Sequence, residues 1–183
     1  MARKLRYDVK RAFKEWQSRY NGKWVTPVKF FQSKQPLWQA VQTDSNMEDL
    51  KVGQNLFDGK EDHTKYDILH PLWKDTVFEE ILNDYNAYSA KIRIMPPMST
   101  LNVHTDGWTP SLYVYMFPIL TNEDSFFIVQ TEGKPASFTH AWNAWHHPAD
   151  GSVYQTRYDI PHAAMNGGTT PKVNLQFRSK DDL

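Results

Sequence analysis

His104, Thr105 and Asp106 stand together in a chain of 183 residues that holds seven histidines. In an extended strand, residues i and i+2 project to the same face. An imidazole and a carboxylate so placed can offer two neighbouring ligands to one metal ion. The pair alone carries little weight, because roughly 0.5 such pairs arise by chance at this His and Asp content. A third residue changes the balance. His162 lies 58 residues further on, after Pro161, which holds Ile160 extended, and it is expected to close a strand. Two imidazoles and one carboxylate on rigid strands form the facial donor set that suits non-heme Fe(II) and leaves coordination positions open. A chelating co-substrate can take two of these and O2 the last.

The stretch from Pro171 to Arg178 adds a second kind of chemistry. It alternates strictly, with Val173, Leu175 and Phe177 on one face and Lys172, Asn174, Gln176 and Arg178 on the other. A strand with an apolar face and a cationic face makes sense where the cationic face lines a polar pocket. A lysine there needs an anionic partner, because an unpaired buried charge is expensive.

These residues need elements to hold them. From Tyr88 onward the chain breaks into short extended runs, at about 89–95, 100–105, 110–119, 125–131, 135–140, 152–160 and 171–178, punctuated mostly by Pro, Gly, Asn or Asp. Six or seven short strands with no long helix between them predict a β-sandwich or jelly roll. Residues 1–88 read as a mixed, supporting segment. Leu5, Val9, Phe13, Trp16 and Tyr20 step at helical spacing towards a stop at Asn21-Gly22. Residues 24–31 and 37–42 suit short strands, and the polar stretch 43–65 suits a loop. Thr76-Val77-Phe78-Glu79 has the capping-box pattern and opens a helix expected over 76–87. The expectation is a single domain over 1–183, α+β and mainly β. Helices from the first part pack on one sheet of a core at 89–179.

Composition narrows the function classes. Lys plus Arg and Asp plus Glu are both 21, so the balanced charge gives no reason to expect nucleic acid or an anionic membrane. The absence of Cys excludes disulfides, thiolate metal sites and a cysteine nucleophile. No run approaches a membrane span. The basic opening segment lacks the apolar centre of a secretory leader, so a cytoplasmic protein is expected.

The order His104-x-Asp106, His162, then Lys172 ten residues later resembles the Fe(II)/2-oxoglutarate-dependent oxygenase superfamily. The stretch PHAAMNGGTTPKVNLQF is similar to that family's closing segment, and IRIMPPMSTLNVHTDG resembles the strand that leads into its first two ligands. The likeness is nearest to the aspartyl/asparaginyl β-hydroxylase-like and prolyl-hydroxylase-like branches, and it spans about 88–179. It implies a double-stranded β-helix (a cupin-like jelly roll) in which His104, Asp106 and His162 bind Fe(II). Lys172 would then pair with the distal carboxylate of 2-oxoglutarate, with Arg178 as second choice. Where several relatives carry an Arg or His for the keto-acid end, PSLYVYMFPI offers Tyr113 and Tyr115. The implied activity is hydroxylation of an unidentified substrate, a protein side chain or a small molecule, with O2 consumed and succinate and CO2 released.

Two other classes stand beside this one. A cupin-like metal protein of another reaction type would share the barrel without the keto acid, and an idle jelly roll would serve binding or structure. Lys172 separates the first two, and the intact triad separates both from the third. His140, His146 and His147, with Trp142 and Trp145, read as an aromatic-rich loop, with a histidine zinc site as the competing reading. Trp108 and that loop are expected at the rim of the metal entrance. Arg3, Lys4, Arg6, Lys10, Arg11 and Lys14 read as the solvated face of the first helix.

Overall fold

A computed structural model describes residues 6–20, 37–43, 52–53, 62–106, 111–131 and 141–183. In chain order these form α1 (Val9–Tyr20), β1 (Leu37–Ala40), β2 (Gln42–Thr43), β3 (Val52–Gly53), β4 (Ile68–Leu69) and α2 (Val77–Asp84). There follow β5 (Ala87–Met95), β6 (Ser99–His104), β7 (Tyr113–Leu120), β8 (Ser125–Gln130), β9 (Trp142–Trp145), β10 (Tyr154–Arg157), β11 (His162–Asn166) and β12 (Lys172–Ser179). A six-stranded sheet has the order β10-β7-β12-β5-β1-β3, and a four-stranded sheet the order β6-β11-β8-β9. Every pairing in both is antiparallel. The architecture is a jelly roll with helices packed on one sheet.

The layers follow from the period of two along the strands. Ile92 and Ile94 of β5, Val173, Leu175 and Phe177 of β12, and Phe117 and Ile119 of β7 share one buried cluster with Ala12, Trp16, Trp73, Phe78, Ile81 and Leu82. This outer face of the large sheet is where the helices bury their apolar stripes. Each such side chain contributes about 1.5–3 kcal/mol on full burial. The opposite face of the same strands meets the small sheet through Met95, Val114, Met116, Phe127, Val129 and Ala164.

Local chemistry sets the helix limits. The Asp8 carboxylate accepts from Arg11 N at 2.9 Å and caps α1, which therefore begins at Val9, later than the Leu5 periodicity implies. Tyr7 is instead tied down, its N–H donating to Gly151 O at 2.8 Å. Gly151 has φ +91°, and a Cβ there would meet Tyr7 O at 2.3 Å. Thr76 caps α2 as expected, but the helix ends at Asp84, short of residue 87, because Asn86 turns left-handed at φ 46°. Glu15 locks the two helices together by accepting from Val77 N at 2.8 Å.

The expected strands at 89–95, 100–105, 110–119, 125–131 and 171–178 match β5, β6, β7, β8 and β12 within a few residues, and β10 covers the middle of 152–160. Residues 24–31 and 135–140 lie outside the described residues, as does Trp108. Four strands went unforeseen, among them the two-residue β3, inside the stretch expected to be a loop, and β4. Trp142–Trp145 forms β9, where a loop was expected, because it pairs with β8 from Phe127↔Trp145 to Gln130↔Trp142. His162 opens β11 rather than closing a strand, since its pairing runs forward from His162↔Val129 to Asn166↔Ser125. Among the described residues, no helix is long and apolar enough to cross a membrane.

Asn166 binds the closed end of the sandwich. It is fully buried. Its Nδ2 donates to Met95 O, Pro96 O and Thr170 O at 3.2, 2.9 and 2.8 Å. Its Oδ1 accepts from Asn122 Nδ2 and Ser125 Oγ at 2.9 and 3.1 Å. Asn166→Ala leaves several buried backbone acceptors unmet and is expected to lower unfolding free energy by about 2–4 kcal/mol, measured by urea denaturation.

Candidate metal centre

His104 ends β6 and His162 opens β11, and the two face each other across the antiparallel pair as register partners. Their ring centroids lie 4.3 Å apart. Asp106 follows two residues beyond β6, where its N–H donates to Tyr158 O at 2.8 Å. That bond holds the end of the strand against the segment that leads into His162. The His104 Nε2 to Asp106 Oδ1 distance is 3.7 Å, and the ligand atoms of all three residues lie within 4.8 Å of one another. The structure thus brings together the three residues read as ligands.

Backbone carbonyls orient both imidazoles. His104 Nδ1 lies 2.7 Å from Asn102 O and His162 Nδ1 lies 2.9 Å from Ile160 O. A carbonyl only accepts, so each Nδ1 carries the proton and each Nε2 keeps its lone pair for a metal. His162 is 1% exposed, and its Nε2 is buried with no hydrogen-bond partner. Such an orphan is costly in a folded interior and is relieved by a cation. Burial also holds the His162 imidazole below its ordinary titration range, which keeps it in the neutral, ligating form. The donor set therefore fits a divalent ion of the kind that takes imidazole and carboxylate.

Around this centre the inner face of the large sheet is cationic. Lys172 is 3% exposed and Arg93 is 2% exposed. They share this face two rungs apart, since Lys172 pairs with Met95 and Asn174 pairs with Arg93. Lys172 Nζ donates to Phe126 O at 3.4 Å. Burial, with the charge of Arg93 behind it, pushes Lys172 down to about 7. Among the described residues no Asp or Glu is buried. Asn174 Oδ1 and Gln176 Oε1 are buried on this face without hydrogen-bond partners.

Arg178 and the two tyrosines take other places than expected. Arg178 lies six residues along β12 from Lys172, about 20 Å of strand. Its Nη1 donates to Ser111 O at 2.8 Å and its Nη2 stands 3.7 Å from Asp106 Oδ2. It therefore lies beside Asp106, away from Lys172. Tyr115 faces away from His104, Asp106 and His162, stacked on Phe177 at 5.5 Å, with its OH accepting from Gln155 Nε2 at 2.8 Å. Tyr113 packs against the same outer cluster. Alternation explains both: odd-numbered residues of this part of β7 face the helices, and Val114 and Met116 face inward.

Several neighbours of the site escaped the sequence reading. Lys91 and Arg93 alternate with Ala90, Ile92 and Ile94 in the same way that the cations of β12 alternate with its apolar residues. That signal was present. Tyr158 lies with its ring centroid 4.1 Å from that of His162, and burial pushes its phenol up to about 12. His147 is buried and stacked on Tyr154 at 4.5 Å and on Phe127 at 6.1 Å, where burial pushes it down to about 4. His146 lies apart, its Nδ1 3.0 Å from Ser125 O. Among the described residues the one group suited to a metal is His104, Asp106 and His162. His140 lies outside those residues.

No protein-family model matches the chain and no curated protein matches it. Solved structures do. An oxidoreductase of the 2OG-Fe(II) oxygenase family from Burkholderia pseudomallei aligns over 82% of this chain and 74% of its own, at 15% identity and TM-score 0.46. A cupin domain from Bordetella pertussis Tohama I aligns over 51% of this chain and 81% of its own, at 16% identity and TM-score 0.35. A point mutant of Bacillus subtilis oxalate decarboxylase aligns over 56% of this chain and 24% of its own, at 18% identity and TM-score 0.37. These likenesses concern the fold.

The buried donor and the buried ammonium each give a measurable outcome. His162→Ala removes the donor and is expected to weaken Co(II) binding by more than about 100-fold, since even partners outside the ligand set are worth about 10- to 100-fold. Absorption titration with Co(II) measures it. For Lys172 the folded value of about 7 lies below the ordinary 10.5, so the unfolded chain binds the extra proton. Stability is therefore expected to rise with pH between about 7 and 10, and Lys172→Met to flatten much of that rise in urea titrations.

Proposed function

We propose that this protein is an Fe(II)- and 2-oxoglutarate-dependent oxygenase that hydroxylates its substrate and releases succinate and CO2. One observation carries the reading. A metal donor set with a buried, partnerless imidazole nitrogen shares its interior with a buried ammonium, Lys172, that no carboxylate faces among the described residues. A metal alone would leave that ammonium unexplained.

The spacing supports the same ligand. His162 pairs with Val129, and Lys172 Nζ meets the carbonyl of Phe126, three residues along β8. Three residues of strand span about 10 Å. A five-carbon diacid, bonded to the metal at one end and to an ammonium at the other, has that length.

Bound Fe(II), with 2-oxoglutarate and O2, supplies the oxidising chemistry; the protein supplies orientation and dryness. His104 and His162 would present Nε2 to the metal while Asn102 O and Ile160 O hold their Nδ1 protons. Asp106 would supply the carboxylate, steadied by Arg178 on its other oxygen. Lys172 would take the distal carboxylate, with Arg93 adding positive potential behind it. Phe127, Val129 and Tyr158 would wall the site from water.

Calorimetry with Mn(II) in place of air-sensitive iron tests the reading. 2-Oxoglutarate is expected to bind the metal-loaded protein, and Lys172→Met to weaken it by about 2–5 kcal/mol while metal affinity is kept. Metal binding without any 2-oxoglutarate binding would instead assign a cupin-like metal protein of another reaction.

A further inference from the structure

Tyr158 stands where a phenylalanine would pack as well. It is 3% exposed, its ring stacks on Phe127 at 5.4 Å and lies 4.1 Å from the ring of His162. Packing of that kind uses the ring and not the hydroxyl. A buried phenol loses water and ordinarily recovers the loss through a strong acceptor. Among the described residues the acceptor for Tyr158 Oη is the thioether of Met116, with Sδ at 3.7 Å. A thioether accepts only weakly. Gln176 is the register partner of Met116, and its Oε1 is buried with no hydrogen-bond partner among the described residues. The carboxamide oxygen beside Met116 therefore does not take the phenol proton either, and the hydroxyl is left largely unspent.

The course of the side chain ties it to the metal centre. The Tyr158 carbonyl accepts from the N–H of Asp106 at 2.8 Å and the ring borders His162, so the residue starts at two of the three ligands. It ends at Met116, on the inner face of the large sheet. His104 and His162 come from the small sheet, and Asp106 from the segment just past β6. All three donors thus approach a metal from one side, and the positions they leave open face the large sheet. Tyr158 crosses the interior from the ligands to that side. A divalent ion in such a donor set takes oxygen ligands at its open positions, and a hydroxyl donating to a charged oxygen forms a strong hydrogen bond.

We propose that Tyr158 is a ligand-binding residue of the metal centre, and that its hydroxyl donates to an anionic oxygen of a molecule held at the metal's open positions. This rests on the centre formed by His104, Asp106 and His162 and not on the choice of co-substrate, since a carboxylate of 2-oxoglutarate or of a second acid offers the same oxygen. The Met116 thioether is then the partner of the empty site, weak enough to give way when the ligand arrives.

The test titrates the whole chain, loaded anaerobically with Co(II), with formate and with thiocyanate, read by the Co(II) absorption bands. The two anions have equal charge, but formate binds a metal through oxygen and thiocyanate through nitrogen or sulfur. Tyr158→Phe keeps the ring and is expected to weaken formate about tenfold or more, while thiocyanate and Co(II) affinities stay within about twofold. Formate unchanged, both anions weakened alike, or no binding of formate to the unaltered Co(II) protein would each overturn the proposal. A 3-fluorotyrosine placed at position 158 keeps the phenol, so it decides even if Tyr158→Phe does not fold. Its fluorine resonance in the Zn(II) protein is expected to move with formate and not with thiocyanate, and an equal response to both overturns the proposal. Repeating the formate titration with 2-oxoglutarate present separates the two sources of the oxygen: a Tyr158-dependent affinity that persists belongs to a second acid, and one that disappears belongs to 2-oxoglutarate. Failure of the oxygenase reading looks different, because 2-oxoglutarate then does not bind the metal-loaded protein while the formate result stands.

Discussion

A strand buried on both faces must meet two environments with alternate side chains, and β12 does so at the centre of the large sheet. From Lys172 to Ser179 every residue is buried. Val173, Leu175 and Phe177 pack under the helices, while Lys172, Asn174, Gln176 and Arg178 turn to the other sheet. The polar face is the costly one, because charges and amides lose water there. The apolar face supplies the opposing gain through Trp16, Trp73, Phe78 and Ile81. The helices are thus a stabilising layer that lets the inner face be chosen for chemistry.

The metal centre depends on that sheet only through its neighbours; its own geometry comes from backbone. The β6–β11 register sets the two imidazoles side by side, and each ring is turned by a carbonyl two residues before it. Asp106 lies just past the strand and is held by the Tyr158 carbonyl. Main-chain groups thus hold the two imidazoles and the Asp106 backbone, while the Arg178 side chain stands against the Asp106 carboxylate. Donors fixed before a ligand arrives do not have to be ordered when it binds.

Much of this was legible from residue spacing. The i, i+2 rule put His104 and Asp106 together, and the alternation from Pro171 to Arg178 announced a strand with a polar inner face. The helix-capping pattern at Thr76 located α2. What spacing could not show was long-range pairing. His162 begins a strand because β6 and β8 flank it, and HAAMN has no β-branched or aromatic residue to announce that. The Trp142–Trp145 segment becomes a strand for the same reason, by pairing with β8. Tyr113 and Tyr115 were rightly placed on one face, but which face needed the partner layers. Arg178 shares a face with Lys172, yet a shared face does not mean a shared place on a strand eight residues long.

The inner cations also show how such a face is tolerated before any ligand enters. Burial brings Lys172 down to about 7, and burial with the nearby charge of Arg178 brings Lys91 down to about 8. Lys172 and Lys91 are thus the cations of this face that can most readily shed their charge. An anion bound against them would favour the ammonium form, so its binding would take up protons from solution. The arginines cannot yield in this way, since guanidinium keeps its proton throughout the accessible range. Arg178 has Ser111 O and Asp106 against it, and Arg93 feels the favourable charge of Asp106 and the Tyr158 phenol. Fixed charge thus sits where a carboxylate is always at hand, and the adjustable charge of Lys172 sits deeper, at the far end of β12 from Asp106.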